Sequence, residues 1–299
     1  MLNRLGRLIL AIGLAALGYL LIYRPLQLHW GATKEEVHRA MPGDEIQPKP
    51  IFNAMRAITI QARPEAIWPW LVQMGYRRAG WYGYDWIDND GIPSSMQILP
   101  QWQRLKVGDT IPIWRNIEFA VRTLEPNRTL VFAGGNGSNS NSNGNSMALG
   151  LYPIGANHTR LLWRIRLAPY AWNSPLIAAQ VFTDLADFVA VRQNILGIKA
   201  RAEGVPPEAP QIMYAGLALW LGAFLSFLAA EITLVFSKGL LKPFLVAAAI
   251  GLLTVWLVLV KPALWICAMG TLLTWTLLWW AVHAKKVVPS ASHKLDAPA

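Results

Sequence analysis

The chain has 299 residues, of which 54% are hydrophobic and 15% are charged, whereas soluble domains carry about 25% charged residues. This composition excludes a single water-soluble globule. The net charge is +10, but the stretch from Arg24 to Ile212 holds 19 basic and 15 acidic residues and so contributes only +4. The rest flanks apolar runs, where basic residues anchor membrane spans, so the charge does not indicate nucleic-acid binding. The one cysteine, Cys267, excludes an intramolecular disulfide and a cysteine metal motif.

An apolar run near the N-terminus predicts a transmembrane anchor over residues 1–24, followed by a linker over residues 25–54. Leu8 to Tyr23 contain no charge, and Arg4 and Arg7 precede them. A cleaved signal peptide is the alternative. No small-x-small cleavage site follows the run, so the sequence favours a retained anchor.

Three further apolar runs predict transmembrane helices within residues 212–283, after a proline-rich linker at 204–211 and before a polar tail at 284–299. Each run is about long enough to cross a bilayer, and the short connections predict up-down hairpins. A soluble helical bundle would carry charged stripes at helical spacing, which these runs lack. The runs are Ile212 to Phe236, Phe244 to Val260 and Ala263 to Val282.

Four spans make this an integral protein, expected in a bacterial-type inner or plasma membrane. Basic residues near the spans favour only slightly a cytoplasmic N-terminus with the middle domain outside. Glu231 is the one acidic residue inside the three C-terminal runs. We favour a position within reach of the polar end at Lys238; the alternative is a functional carboxylate inside the membrane.

The middle of the chain predicts a sheet closed by one long helix. Strand-length runs are separated by turn residues, and in the last run Trp163 lies on a core face while Arg164 lies on a wet face. The helix extends from Pro175 to about Arg201 and carries an apolar stripe. On it, Asp184 and Asp187 are either an acid/base pair or, as we favour, solvated charges. The glycine- and asparagine-rich stretch 134–146 predicts a loop and not a phosphate cradle. The strands are predicted at 56–60, 110–113, 118–124, 129–133, 148–152 and 160–168.

Two runs in this domain resemble a known superfamily. They are ITIQARPEAIWPWLVQMGY at 58–76 and RAGWYGYDWIDN at 78–89, continued by LKVGDTIP at 105–112. They resemble the SRPBCC superfamily, the START-like or polyketide cyclase/dehydrase and lipid-transport proteins, over residues 55–203. The resemblance implies an α+β helix-grip fold, in which a curved antiparallel sheet and a long C-terminal helix enclose a hydrophobic cavity. It implies a hydrophobic ligand and no particular reaction.

The densest aromatic and acidic stretch supplies the first candidate site residues. Trp81, Tyr84 and Trp86 are predicted to line a pocket mouth, with the Tyr84 hydroxyl and Asp85 as its polar groups. The alternative is core packing with a capped turn at residues 88–91. A calcium loop is disfavoured because the distal glutamate is absent. To the ligand-binding set we add Phe119, Trp163 and Phe188.

Three functions stay open at this point. The first is a membrane-anchored module that binds a lipid or another apolar small molecule. The second is a membrane-tethered cyclase/dehydratase-like enzyme that uses Tyr84 and Asp85 as acid and base. The third is a regulatory or structural membrane protein with a closed cavity. No cofactor is expected and no metal site, because His29, His38 and His158 lack partners at metal-binding spacing.

Overall fold

The computed structural model describes residues 3–134, 144–168, 176–237 and 239–283; the side chains of residues 176–183 and 185 are outside the description. The chain divides into two compact units. One comprises residues 16–215, and the other comprises residues 1–15 together with residues 216–299. Most of the predicted loop at 134–146 and the polar tail at 284–299 lie outside the described residues.

The larger unit is an α+β domain built on one six-stranded antiparallel sheet, so the predicted fold class is confirmed. The sheet order is β1-β6-β5-β4-β3-β2. The strands are β1 (Phe52–Ile60), β2 (Thr110–Trp114), β3 (Ile117–Glu125), β4 (Thr129–Gly134), β5 (Ser146–Pro153) and β6 (Thr159–Leu167). The helices of this unit include α2 (Arg24–Leu28), α3 (Lys34–His38), α4 (Pro64–Gln73), α5 (Asp85–Asp88) and α6 (Leu176–Ala202). All six predicted strands and the long helix are present, with ends that differ by a few residues.

One face of the sheet forms the main apolar core with α4 and α6. Alternation along each strand puts every second side chain on this face. On β6, Leu161, Trp163 and Ile165 are buried there, and they meet Val191, Ile195 and Ile198 of α6. Of the apolar stripe predicted on the long helix, Phe188 and Ile195 are fully buried, while the side chains of Ile177, Val181 and Leu185 lie outside the description.

The opposite face is also covered, by residues that the sequence assigns to a linker. Met41 packs there against Met55, Val131 and Leu162. The wet face predicted for Arg164 is wrong, since this residue is only 3% exposed. Its guanidinium donates to Asp44 (Nη1 to Oδ2, 2.6 Å). A carboxylate supplied from outside the strands thus allows the sheet to bury a charge that strand alternation assigns to solvent.

Asp184 and Asp187 are bound rather than solvated, which corrects the expectation from the sequence. Asp184 accepts a hydrogen bond from Arg24 at the end of the first apolar helix (2.8 Å). Asp187 accepts one from Arg56 on β1 (2.6 Å). Because Arg24 and Arg56 are far from α6 in sequence, periodicity along α6 could not identify these pairs.

Glycine lets α6 approach the 80–95 loop. At Gly197 a Cβ atom would overlap the Tyr82 carbonyl oxygen. Tyr82 has a positive φ of 65°. Close to this contact, the Arg201 guanidinium lies 4.5 Å from the centroid of the Tyr82 ring. The loop is therefore packed directly on the C-terminal half of α6.

Four helices are long and apolar enough to cross a membrane: Arg4–Leu28, Pro210–Phe236, Leu241–Val260 and Leu264–His283. The first comprises α1 (Arg4–Gly18), a π-helical turn at Tyr19–Tyr23 and α2; the others are α7, α8 and α9. In the smaller unit the Thr271 hydroxyl donates to the Leu219 carbonyl oxygen (3.0 Å). Glu231 Oε2 is buried without a hydrogen-bond partner among the described residues. Lys238, on which our favoured interpretation of Glu231 depends, lies outside them.

The contact at Gly197 gives a stability prediction. Gly197→Ala is expected to destabilise the larger unit by about 1–3 kcal/mol, because the overlap with the Tyr82 carbonyl exceeds the gain in helix propensity. The measurement is the midpoint of thermal unfolding of the full chain in detergent, followed by near-ultraviolet circular dichroism.

The matched control is Gly216→Ala, since Gly216 is also helical and nothing lies within 4 Å of its added Cβ. This variant is expected to be neutral or slightly stabilised. Equal midpoints for the two variants would contradict the packing of the loop on α6.

Candidate functional site

Three of the predicted ligand-binding residues meet in the core between the sheet and α6. Trp81, Phe119 and Trp163 belong to the same buried apolar cluster. Trp163 is 1% exposed, and its indole Nε1–H has no hydrogen-bond partner among the described residues. A buried donor without a partner costs about 1–3 kcal/mol, and buried tryptophans usually find an acceptor. The indole nitrogen of Trp163 is therefore a polar atom that lies among apolar side chains without a hydrogen-bond partner among the described residues.

Trp163 has a buried charge as its neighbour. In the antiparallel register it lies directly opposite Arg56 on β1, so the two side chains share the face that points toward α6. Arg56 is fully buried and donates to Asp187 (Nη1 to Oδ2, 2.6 Å) and to the Gln27 side chain (Nη2 to Oε1, 2.8 Å). The site thus has an apolar body with a cationic, hydrogen-bonding end.

Phe188 completes this end. Its ring is fully buried, with its centroid 5.4 Å from the Arg56 guanidinium and 4.9 Å from that of Arg192. Trp30 packs edge-on against it with centroids 6.1 Å apart. The sequence put Phe188 in the ligand-binding set but did not predict the two arginines around it.

Tyr84, Asp85 and Trp86 form a separate group on the 80–95 loop. Tyr84 is buried, and its ring centroid lies 5.7 Å from that of Tyr214. Both Asp85 oxygens accept hydrogen bonds from Ser94: Oδ1 from the hydroxyl (2.5 Å) and Oδ2 from the backbone N–H (3.0 Å). Trp86 is 77% exposed. None of these three residues belongs to the apolar cluster around Trp163.

Asp88 and Asn194 are a second unusual feature that the sequence analysis missed. Both Asp88 carboxylate oxygens and Asn194 Oδ1 are buried without a hydrogen-bond partner among the described residues. They converge at Gly83, where a Cβ would overlap Asn194 Oδ1 and lie 3.2 Å from Asp88 Oδ2. Asp85 and Asp88 are three apart on one short helix, which is the sequence signal for two carboxylates on one face. Asn194 on α6 gives no such signal.

Burial shifts the titration of this group. Burial, followed by the charge of Asp85, raises the pKa of Asp88 to about 7. Burial also raises the pKa of Tyr84 to about 12. A protonated Asp88 is a hydrogen-bond donor, so the neutral form suits a site that faces another acceptor oxygen.

Among the described residues, no group of three or more histidine, cysteine, aspartate or glutamate side chains is arranged to hold a metal ion. Within the 85–90 segment, Asp85 and Asp90 each have their own hydrogen-bond partners, whereas Asp88 has none among the described residues. Asp90 pairs with Arg77 (2.9 Å) and Arg115 (2.8 Å), while Asn89 accepts from the Arg77 backbone N–H (2.7 Å). These bonds cap the turn at residues 88–91.

Comparison with known proteins gives only distant structural similarity. No protein-family model and no curated protein matches the chain. The Aha1 dimer from Colwellia psychrerythraea is 21% identical and matches over 50% of this chain and 96% of its own, with a TM-score of 0.28. A polyketide-cyclase-like protein from Corynebacterium glutamicum is 14% identical over 51% of this chain and 91% of its own, with a TM-score of 0.33. A protein from Thermobifida fusca is 11% identical over 52% and 97%, with a TM-score of 0.34. At these scores the α+β assignment rests on the sheet topology and helix packing described above.

The Asp88 carboxyl gives a pH prediction. Its pKa rises from 3.8 in the unfolded chain to about 7 in the folded one, so folding takes up a proton between these values. The stability of the larger unit is expected to fall as the pH rises from about 4 to about 7, by at most about 1.4 kcal/mol per pH unit from this group. Asp88→Asn should remove this slope and stabilise the fold at pH 8, as measured by denaturant unfolding across the pH range.

Asp90→Asn is the control with the opposite sign. The Tyr76 hydroxyl and Arg115 hold the pKa of Asp90 at about 2. Its contribution to stability is therefore present above the unfolded pKa and lost as the pH falls toward 2. This variant should change only the acid limb. A slope between pH 4 and 7 that survives in Asp88→Asn would contradict the assignment.

Proposed function

We propose that the larger unit binds an apolar small molecule that carries an acceptor oxygen, between the sheet and α6, and that the apolar helices anchor it in a membrane. The observation that carries the proposal is the Trp163 indole N–H, buried without a hydrogen-bond partner among the described residues. An oxygen of the ligand would accept this hydrogen bond, while its apolar body would lie among the surrounding side chains.

The chemistry of the layer supports this ligand class. The cluster around Trp163 consists of aliphatic and aromatic residues, which bind hydrocarbon surface with about 25 cal/mol per Å². Arg56 and Trp163 add hydrogen-bond donors at one place. A carbonyl, hydroxyl, ether or carboxylate oxygen matches such donors, whereas a purely hydrocarbon molecule would leave the indole N–H unpaired.

The four long apolar helices and the basic residues beside them support membrane anchoring. An anchored domain stays close to a bilayer, where an apolar molecule is concentrated and from which it can be taken up.

A second candidate is an enzyme of the cyclase/dehydratase type, and Asp88 favours it. A buried carboxyl group with a pKa near 7 is matched to general acid/base catalysis. Asp88 replaces the pair inferred from the sequence, because Asp85 is occupied by Ser94. On this hypothesis Asp88→Asn abolishes turnover and leaves ligand retention intact.

The binding proposal is tested with Trp163→Phe, which keeps an aromatic ring and removes the N–H. The full chain is purified in detergent, and native mass spectrometry with solvent extraction identifies the molecules that stay bound. Wild type is expected to retain an oxygen-containing apolar molecule, and Trp163→Phe to hold it roughly tenfold or more weakly, as expected for loss of one buried hydrogen bond.

Trp70→Phe is the matched control. Trp70 belongs to the same core, and its replacement removes the same ring volume but not the unpaired donor. This variant should retain the molecule. Equal retention by wild type and Trp163→Phe, or no retained molecule other than the bulk lipids that accompany both, would overturn the proposal.

A further inference from the structure

A cluster of exposed apolar side chains lies on one short segment of the larger unit. Between residues 86 and 98, five large apolar side chains are 38% to 77% exposed. Contiguous exposed apolar surface on a folded domain marks an interaction site. We name this segment the apolar loop; the five side chains are Trp86, Ile87, Ile92, Met96 and Ile98.

Hydrogen bonds fix the backbone of the apolar loop, so the exposure is a property of its folded conformation. The Gly91 N–H donates to the Asp85 carbonyl oxygen (2.7 Å). The Asn89 side chain donates to the Ile92 carbonyl oxygen (2.7 Å). The Ser94 N–H donates to the Asp85 carboxylate (3.0 Å). These bonds keep the apolar side chains exposed, although contact between apolar surface and water is unfavourable.

The apolar loop is bonded to the beginning of an apolar helix. The Trp86 backbone N–H donates to the Tyr214 hydroxyl (2.9 Å), and the ring of Tyr84, just before the loop, contacts the ring of Tyr214. Tyr214 is the fifth residue of α7, which is long and apolar enough to span a bilayer. The first turns of a spanning helix lie at the boundary between headgroups and acyl chains, where tyrosine and tryptophan are enriched.

Two cations lie beside the apolar loop. The side chains of Arg77 and Arg115 are 60% and 64% exposed, and both pair with Asp90 inside the loop. Two guanidinium groups on one carboxylate leave a net positive charge. Exposed basic groups next to apolar side chains suit a surface of anionic lipid.

We propose that the apolar loop inserts into the headgroup–acyl boundary of the bilayer that contains α7. The inference rests on the membrane anchoring in the proposed function and extends it to a defined lipid contact on the ligand-binding unit. It commits to lipid as the occupant; contact with another protein or a second copy of the chain is an outcome of the test.

The test uses single cysteine labels on the full chain in vesicles of phosphatidylcholine and phosphatidylglycerol. Cys267→Ser removes the one native cysteine, and Ile87→Cys and Met96→Cys are then labelled with a polarity-sensitive fluorophore. Both labels should be quenched several-fold more by lipids with a nitroxide near the headgroup than by aqueous iodide. Their emission maximum should also lie at a shorter wavelength than that of the free dye in buffer without detergent.

Two further labels serve as controls. Ile154→Cys lies in the connection between β5 and β6, where Ile154 is 50% exposed, and it should be quenched by iodide alone. Leu225→Cys on α7, where Leu225 is 57% exposed, reports membrane insertion itself and should be quenched by lipid nitroxide. If position 225 is quenched and positions 87 and 96 behave like position 154, the loop inference is wrong while the anchoring stands.

Two other outcomes also decide the question. Absence of lipid quenching at position 225 would overturn the anchoring, and with it the basis of the loop inference. Labels at 87 and 96 that are shielded from both quenchers would show a protein contact and overturn the commitment to lipid. None of these readouts depends on whether the domain retains a ligand, so they are separable from the Trp163 experiment.

Discussion

The larger unit depends on one constraint: Arg56 is fully buried on the core face of the sheet, so its charge must be paired inside the protein. Transfer of such a charge from water costs several kcal/mol, and the cost is offset only when its hydrogen bonds are met. For Arg56 they are met by Asp187 on α6 and by both oxygen acceptors of Gln27 on α2. Strand β1, helix α2 and helix α6 must therefore come together for the core to close. Loss of either partner would leave a buried charge unpaired, at a cost of about 3–5 kcal/mol.

The same constraint links the first apolar helix to α6, the helix that covers the sheet. Tyr19, Arg24 and Gln27 all bond to Asp184, three residues before the partner of Arg56 on α6. At the other end of α6, Gly197 and Arg201 hold the 80–95 loop. The helix that covers the sheet is thus fixed at two places, by charge at Asp184 and Asp187 and by close backbone contact at Gly197. Trp163 lies opposite Arg56 and so next to the more polar of these ends.

Local patterns in the sequence predicted most of the architecture. Strand-length runs between turn residues identified the six strands, and an apolar stripe identified α6. Such stripes, and the alternation in the first and last strands, arise from one face packing on the core. The errors were at charged residues. Arg164, Asp184 and Asp187 were predicted to be in solvent, yet each is paired with a residue more than a hundred positions away. Strand or helix periodicity shows which side a residue faces, and it contains no information about which distant segment covers that side.

The candidate site shows the same division. Aromatic density pointed to Trp81, and Trp163 was placed on the core face by alternation; both are in the core. Two features depend on placement in three dimensions: the convergence of Asp88 with Asn194, and the absence of a partner for the Trp163 N–H among the described residues. Such an absence has no signature in the order of residues. Trp86 was grouped with Tyr84 because they are close in sequence, and a short helix then directs one outward and leaves the other buried.

The strand order also has a consequence for how the protein is made. Among the described strands β1 pairs with β6 alone, although more than ninety residues separate them along the chain. At a synthesis rate of about 5–20 residues per second, β1 leaves the ribosome roughly 5–20 seconds before its partner exists. During that interval its unpaired edge and the Arg56 side chain have neither β6 nor α6 to cover them. Until residue 187 has emerged, neither the pairing of β1 with β6 nor the Arg56–Asp187 ion pair can be complete.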